Sequence, residues 1–470
     1  MNKRLCCVVG LLVAVLQMYG QTVADKLKKA TTVFLNDEQL KHAIVSLYVT
    51  DTEGNEVFSL NTEYGLAAAS TQKIFTSAAA LSILGEKFNY ETHIGYTGTI
   101  EKGSLSGDLI IKGSGDPTLG SSRYKKTNPD SILNFLVHTL NHAGIKKING
   151  NIFLDDAAFG YQPLPGGYVW EDIGNYYGAG TWALNWRENQ YDLILKAGAN
   201  EGDTSTVLRT EPDLQVDAFY NFITTAHVGS GDNTILYLAP YGTSGFGEGT
   251  IPRGINQFKV SGAFAYPADQ LKAELNSCLQ KNRIEISGDI VTGATFMRQQ
   301  KPLPVAKQTL ANYTSPALDS VVFWFLQRSI NLYGEALLKT IAYHEDSVGT
   351  TTEGIAVLKK FWQQNGIDSS LIHILDGSGL SPQNRVTTTA LVKALLYARK
   401  QSWFQTFYNA LPVNNDMKLK SGSIGGVRAF AGYHTALNGK KYVVAIIVNN
   451  YDDSMGSVTP KIFKLLDALK

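Results

Sequence analysis

The chain has 470 residues, a hydrophobic fraction of 44%, a charged fraction of 18% and a formal net charge of +1. That balance is globular, and the length predicts two or three domains instead of one ordinary core. Near-neutral charge, with no Lys/Arg run and no basic-aromatic patch, argues against a nucleic-acid partner held by electrostatics.

Lys3 and Arg4 precede an apolar run from Leu5 to Leu16, which is short for a bilayer span and fits a signal-peptide core. Residues 1–20 are read as that signal, with cleavage after Gly20 (or after Ala24) and an exported, periplasmic mature chain. An uncleaved anchor or a buried helix is the alternative. Cys6 and Cys7 lie too early for a lipoprotein site and leave with the signal. Cys278 then stands alone in a helix-like stretch, a packed thiol with no intramolecular disulfide partner.

Ile44 to Val49 and Glu56 to Leu60 read as a hairpin around Gly54-Asn55. Ser70-Thr71-Gln72-Lys73 then opens an apolar, Ala-rich run that stops at Gly85, the pattern of a buried helix with a glycine cap. Positions i and i+3 share a helix face, so Lys73 can reach the Ser70 hydroxyl. At a helix start, Ser70 also sits where free backbone N–H groups point at developing negative charge.

More than half the chain separates Lys73 from Ser329-Ile330-Asn331, so an insertion is expected between them. It is rich in Gly, Thr, Asn and Tyr with short strand-like runs. Three echoes stand out: Ser106-Gly107-Asp108 before Leu109, Asn149-Gly150-Asn151 before Ile152, and Ser287-Gly288-Asp289 before Ile290. Each reads as a turn followed by a strand, and they are too few for a repeat array. The expected layout is one domain from residues 21–90 and 300–470, a mainly β insertion over 91–299, and a smaller unit nested near 203–247.

Beyond Asn331, Asp376-Gly377-Ser378-Gly379 reads as a tight, glycine-dependent turn, not a nucleophile elbow. Lys420-Ser421-Gly422-Ser423 lies on a strand, followed by a hairpin whose turn is Asn438-Gly439. Thr459 to Leu469 reads as a closing helix. Both ends thus supply strands to one antiparallel sheet with the Ser70 helix packed on it, an α/β (α+β) arrangement.

In this order, Ser-x-x-Lys, Ser-x-Asn and Lys-(Ser/Thr)-Gly are the parts of an acyl-serine enzyme whose proton acceptor is lysine. Ser70 is the expected nucleophile and Lys73 its base, held by Asn331. A basic lysine needs a pKa well below its ordinary ~10.4, and burial with a second cation, here Lys420, supplies that. Ser329 is expected to relay the proton to the leaving group. Lys420, Ser421 and Gly422 are expected to bind the substrate's terminal carboxylate. The N–H groups of Ser70 and Ser423 are expected to form the oxyanion hole. None of the eight histidines forms His-Glu-x-x-His and no Cys pair remains once the signal is removed, so no metal site or other cofactor is expected.

The chain resembles the low-molecular-mass class C penicillin-binding proteins, the D-alanyl-D-alanine carboxypeptidase/endopeptidases. The resemblance runs through the three motifs and through Asp376-Gly377-Ser378-Gly379-Leu380-Ser381 with Asn384 and Val386. It continues in Gly113-Ser114-Gly115-Asp116-Pro117-Thr118-Leu119, in Tyr177-Gly178-Ala179-Gly180 with Ala183-Leu184-Asn185 and Glu188-Asn189, and in Gly249-Thr250-Ile251-Pro252-Arg253-Gly254. It implies a serine β-lactamase/DD-peptidase-like fold with an inserted and a nested domain. Peptidoglycan stem peptides or cross-links are the implied substrates, and β-lactam antibiotics the implied covalent inhibitors. It also implies a contact for a free amine on the third stem residue near an Asp-x-x-x-Phe pattern, which Asp155 and Phe159 fit; the simpler role for Asp155 is to end a strand and cap a turn. The chain departs from the family in having Pro382 where an Arg is usual, Ser421 where Thr is commoner, and no Pro in Leu66-Ala67-Ala68-Ala69.

Two other functions fit the same parts. A β-lactamase needs a second base to activate water; Glu335 falls on the helix of Asn331, and no loop offers another. A catalytically idle wall-binding scaffold would lack Ser70 or Lys73, and both are present.

Overall fold

The computed structural model describes residues 22–470, so the expected signal segment lies outside the described residues. A six-stranded sheet joins both ends of the chain, in the order 56–60, 44–51, 441–449, 427–435, 417–424, 413–414. All its pairings are antiparallel, with Leu47 opposite Ile446 and Lys420 opposite Ala431. The strand Lys441–Asn449 is buried along almost its whole length because both sheet faces are covered. Val443, Ala445 and Ile447 face the helices that carry the first two motifs. Val444, Ile446 and Val448 face the terminal helices Val23–Leu35 and Thr459–Leu466. A strand buried on both sides reads as a continuous apolar run, not an alternating one, and Tyr442 to Val448 does so.

The helix Lys73–Ile83 is buried at nine successive residues, from Lys73 to Leu81. Its alanines let Leu318–Gln327, Asn331–Asp346 and Thr388–Arg399 close around it. Gly85 follows at φ +82°, the left-handed residue that ends a helix. Ser70 does not cap this helix directly. It sits in a tighter 3-10 turn, Ala69–Gln72, which opens with Ala69 at φ +46°. Left-handed alanine is strained, and such strain persists only where the surroundings over-determine it.

The three echoed turns prove to be neighbours. Strands 109–112, 152–155 and 290–292 pair in parallel, side by side. The turns stack as well: Asn151 N–H donates to Asp108 Oδ1, and Asp289 N–H to Asn151 Oδ1, both at 2.9 Å. The echo in sequence is thus one supersecondary unit reused, and helices Pro129–His142 and Pro267–Lys281 provide the crossovers and cover the strands. Cys278 lies half-buried on the second of these helices.

Two expected boundaries move. Gln308–Thr314 pairs with Glu91–Tyr96 and completes the sheet of the insertion, so the return to the six-stranded unit comes after 314, not at 300. The nested β unit is wider than 203–247. Strands 190–196, 206–211 and 258–263 form one sheet and strands within 218–252 another, sharing one core around Leu193, Ile223, Leu236 and Val260. Long-range pairing of 190–196 with 258–263 defines that width, and local composition carries no trace of it.

Candidate active site

The three motifs converge. Lys73 Nζ lies 2.8 Å from Ser70 Oγ, 2.7 Å from Asn331 Oδ1 and 2.7 Å from the Ser378 carbonyl. Two of these partners, the Asn331 amide oxygen and the Ser378 carbonyl, can only accept. A neutral amine therefore places its two hydrogens on them and turns its lone pair to Ser70. Lys73 is fully buried, and burial pushes its ammonium down to about 7 against the opposing pull of the Asp376 and Glu335 carboxylates. Its charge can thus switch near neutrality, as a general base requires.

Asn331 opens its helix, and its amide is fixed from outside that helix. Its Nδ2 donates to the Tyr177 carbonyl at 2.8 Å, which leaves Oδ1 for Lys73. Ser329 stands just before it at φ +57°, again left-handed, and Lys420 Nζ donates to its Oγ at 3.0 Å. Lys420 is 1% exposed and donates also to the Ser421 carbonyl at 2.8 Å. Burial first, then the charges of Lys73 and Arg428, hold its ammonium well below the ordinary lysine value. No carboxylate among the described residues forms an ion pair with it. A buried cation without a counter-ion is costly, and an anion arriving from solution would relieve that cost.

Gly422 explains how the third motif comes so close. A Cβ there would stand 2.4 Å from the Ala68 carbonyl oxygen and 3.0 Å from the Ser70 nitrogen. Only glycine lets the strand pass against the Ser70 amide. Ser423 follows on the same strand with its side chain exposed.

The Asp376 turn builds the floor. The Asp376 carboxylate accepts from the N–H groups of Gly379 and Ser381, both at 2.6 Å, and from Asn384 Nδ2 and Gln72 Nε2 at 3.1 Å. Gly379 is left-handed, at φ +83°, with space for a Cβ only 2.1 Å from the Ala69 carbonyl oxygen. The turn presents the Ser378 carbonyl to Lys73, a role the motif reading missed because nothing in Gly-Ser-Gly marks one carbonyl out. Glu335 is also fully enclosed, and burial followed by the Asp376 charge raises its carboxyl above the usual range. It accepts from Gly377 N–H at 3.0 Å and from the Tyr168 hydroxyl at 3.1 Å. Both oxygens are engaged inside the protein.

The Asn331 helix docks on the insertion from more than one side. Tyr333 donates its hydroxyl to Glu188 at 2.7 Å, Glu335 takes Tyr168, and Lys339 Nζ donates to the carbonyls of Gln162 and Thr181 at 2.9 and 3.0 Å. Glu188 sits in a left-handed run, Arg187-Glu188-Asn189, with φ near +55° at each residue. Arg123 and Ser121 also donate to its carboxylate. The Glu188-Asn189 signature was visible in sequence, but its partner on the Asn331 helix was not.

Asp155 and Phe159 make no side-chain hydrogen bond to the residues of the three motifs. Asp155 is 8% exposed at the end of strand Ile152–Asp155, and its Oδ1 accepts the Ala157 N–H at 3.0 Å, the turn-capping arrangement. Phe159 is buried, its ring beneath Gly115 and within 5.8 Å of Lys339 Nζ. Arg385 folds back onto the carbonyls of Pro382 and Asn384.

Comparison with known proteins gives the family and the fold. A sequence profile described as the D-Ala-D-Ala carboxypeptidase 3 (S13) family matches residues 27–416. A D-alanyl-D-alanine carboxypeptidase of an Actinomadura species is 26% identical over 455 residues, covering 90% of this chain and 81% of its own. The D-alanyl-D-alanine carboxypeptidase DacB of Haemophilus influenzae is 26% identical over 411 residues, covering 82% and 81%. The crystal structure of penicillin binding protein 4 (dacB) from H. influenzae shares the fold, with a TM-score of 0.79 at 23% identity over 93% of this chain and 97% of that one. Because the profile spans most of the chain, the protein belongs to the D-Ala-D-Ala carboxypeptidase 3 (S13) family and is a serine-type D-Ala-D-Ala carboxypeptidase.

Proposed function

We propose that the protein acts on peptidoglycan stem peptides and their cross-links, as carboxypeptidase and endopeptidase, through an acyl-Ser70 intermediate. β-Lactams enter the same reaction as covalent inhibitors. Ser70 Oγ attacks the carbonyl before the terminal D-alanine, and neutral Lys73 takes its proton. The tetrahedral oxyanion lies between the N–H groups of Ser70 and Ser423. As it collapses, the C–N bond breaks and the proton passes by way of Ser329 to the departing amine. Water then cleaves the ester, returning the proton to Ser70. Lys420, with Ser421 and Gly422 beside it, receives the substrate's terminal carboxylate.

The observation that carries this reading is the three-partner environment of Lys73, in which only Ser70 can donate to the amine. Export to the periplasm or cell envelope belongs to the same proposal, supported by the charged-then-apolar opening of the sequence. Among the described residues, no helix is long and apolar enough to cross a membrane.

Penicillin labelling followed by mass mapping of the acylated peptide tests it. One label per chain on Ser70, lost in Ser70→Ala, is expected. Label elsewhere, or none on a folded protein, overturns the reading and favours an idle scaffold.

A further inference from the structure

The nested β unit carries an aromatic row on the face where a water-facing sheet is ordinarily polar. Tyr237 lies opposite Phe246, and Phe246 opposite Tyr220, so the three project from one face of adjacent strands. The other face holds Leu236, Ile223 and Ile251 in the core. Tyr237 and Phe246 stack at 4.5 Å with their planes 18° apart, Phe222 meets Phe246 at 6.2 Å, and Trp170 covers Tyr237 at 5.4 Å. The ends of the row are open: Trp170 is 46% exposed, Tyr220 58% and Phe222 62%.

The row starts one turn along the chain from a contact of the candidate active site. Trp170 opens the short helix Trp170–Ile173, and the next turn, Tyr176–Gly178, contains the Tyr177 carbonyl that fixes the Asn331 amide. Tyr176, 52% exposed, packs edge-on to Tyr177 at 5.4 Å. The backbone that fixes the Asn331 amide thus leads directly into the segment that carries the first exposed ring of the row.

The chemistry of the row selects its occupant. Residues 218–252 contain no lysine or arginine, so nothing here attracts an anionic lipid surface or a nucleic acid. The rim is polar and acidic, with Glu248 accepting the Tyr237 hydroxyl at 2.9 Å. Exposed aromatic patches mark binding sites, and ring faces beside hydrogen-bonding edges suit ligands whose own faces are C–H and whose edges are hydroxyl and amide. Pyranose rings have that character.

The geometry points to a glycan-binding platform: the exposed rings of Trp170, Tyr220 and Phe222, braced from beneath by the Tyr237–Phe246 stack with Tyr237 only 7% exposed, lie against the amino-sugar strand that bears the stem peptide held at Ser70. This inference rests on the peptidoglycan reading above. It adds the polysaccharide as a second substrate element and makes the protein more active on polymeric wall than on free peptide.

The test titrates the full chain with glycan strands stripped of their peptides by an amidase, following tryptophan emission, with Trp170→Phe to assign the signal. Sedimentation with intact wall sacculi is measured alongside. Saturable quenching that disappears in Trp170→Phe is expected, as is a roughly five- to tenfold weaker affinity in Tyr220→Ala/Phe222→Ala, whose side chains are exposed enough to remove without a cavity. Penicillin acylation of that double variant is expected at the unaltered rate. Binding only to fragments that keep their peptides, or equal sacculus binding by the double variant, overturns the platform. A protein that binds stripped glycan but is not acylated overturns the peptidase reading alone.

Discussion

Tyr333 donates its hydroxyl to Glu188 at 2.7 Å, tying the helix that opens with Asn331 to a left-handed turn of the insertion 145 positions away in the chain. Together with the Tyr177 carbonyl on Asn331, this contact ties the insertion to the helix and the amide of the second motif. The second motif is held in register from both sides.

Tyr333→Phe removes one of the donors to a buried carboxylate while keeping the ring. It should cost about 1–2 kcal/mol of stability and slow penicillin acylation several-fold, because the helix carrying Asn331 loosens. Thermal unfolding and stopped-flow acylation measure the two effects. If both stay at wild-type values, the tether has no part in positioning Asn331.

Lys73 gives the pH dependence its sign. Burial depresses its pKa to about 7, and only the neutral amine accepts the Ser70 proton. Acylation should therefore rise with pH through about 7 and run at pH 6 at roughly a tenth of its pH 8 rate. Lys73→Arg, which stays charged, should lose several orders of magnitude at any of these pH values. A flat profile from pH 6 to 8 would exclude Lys73 as the titrating base.

The unpaired Lys420 predicts carboxylate dependence. Converting the substrate's terminal carboxylate to an amide removes the anion that favours the charged form of the buried Lys420 amine and should reduce turnover roughly a hundredfold or more. Lys420→Gln should narrow the gap between the two substrates, since neither then meets a charge. Equal turnover of acid and amide by the wild-type protein would remove Lys420 and Ser421 from carboxylate recognition.

Asp155 is where two roles compete. As a turn cap it needs only an oxygen, and Asn supplies one; as a partner for an ammonium on the third stem residue it needs its charge. Asp155→Asn should slow cleavage of stems bearing the free amine by roughly five- to a hundredfold while leaving simple D-Ala-D-Ala peptides and penicillin unaffected. An equal loss on all three substrates would assign the residue to folding.

Local pattern determined a good deal. The glycine after the Ser70 helix, the paired hairpins at the two ends and the apolar strand 441–449 follow from periodicity and turn chemistry within a few residues, so they could be read without a structure. That Ser70, Lys73, Ser329, Asn331 and Lys420 would meet was legible because the proposed acyl transfer by a serine–lysine pair demands those residue types, and the chain keeps them in order. What only the tertiary structure decided depends on residues far apart in sequence. The Ser378 and Tyr177 carbonyls that orient Lys73 and Asn331 are backbone groups, which every residue possesses, so no residue type announces them. The stacking of the three echoed turns, the strand 308–314 that extends the insertion, and the aromatic row across 218–252 likewise arise from long-range strand pairing. Register across such pairs is fixed by the packing of whole faces, and that information exists only once the chain has folded.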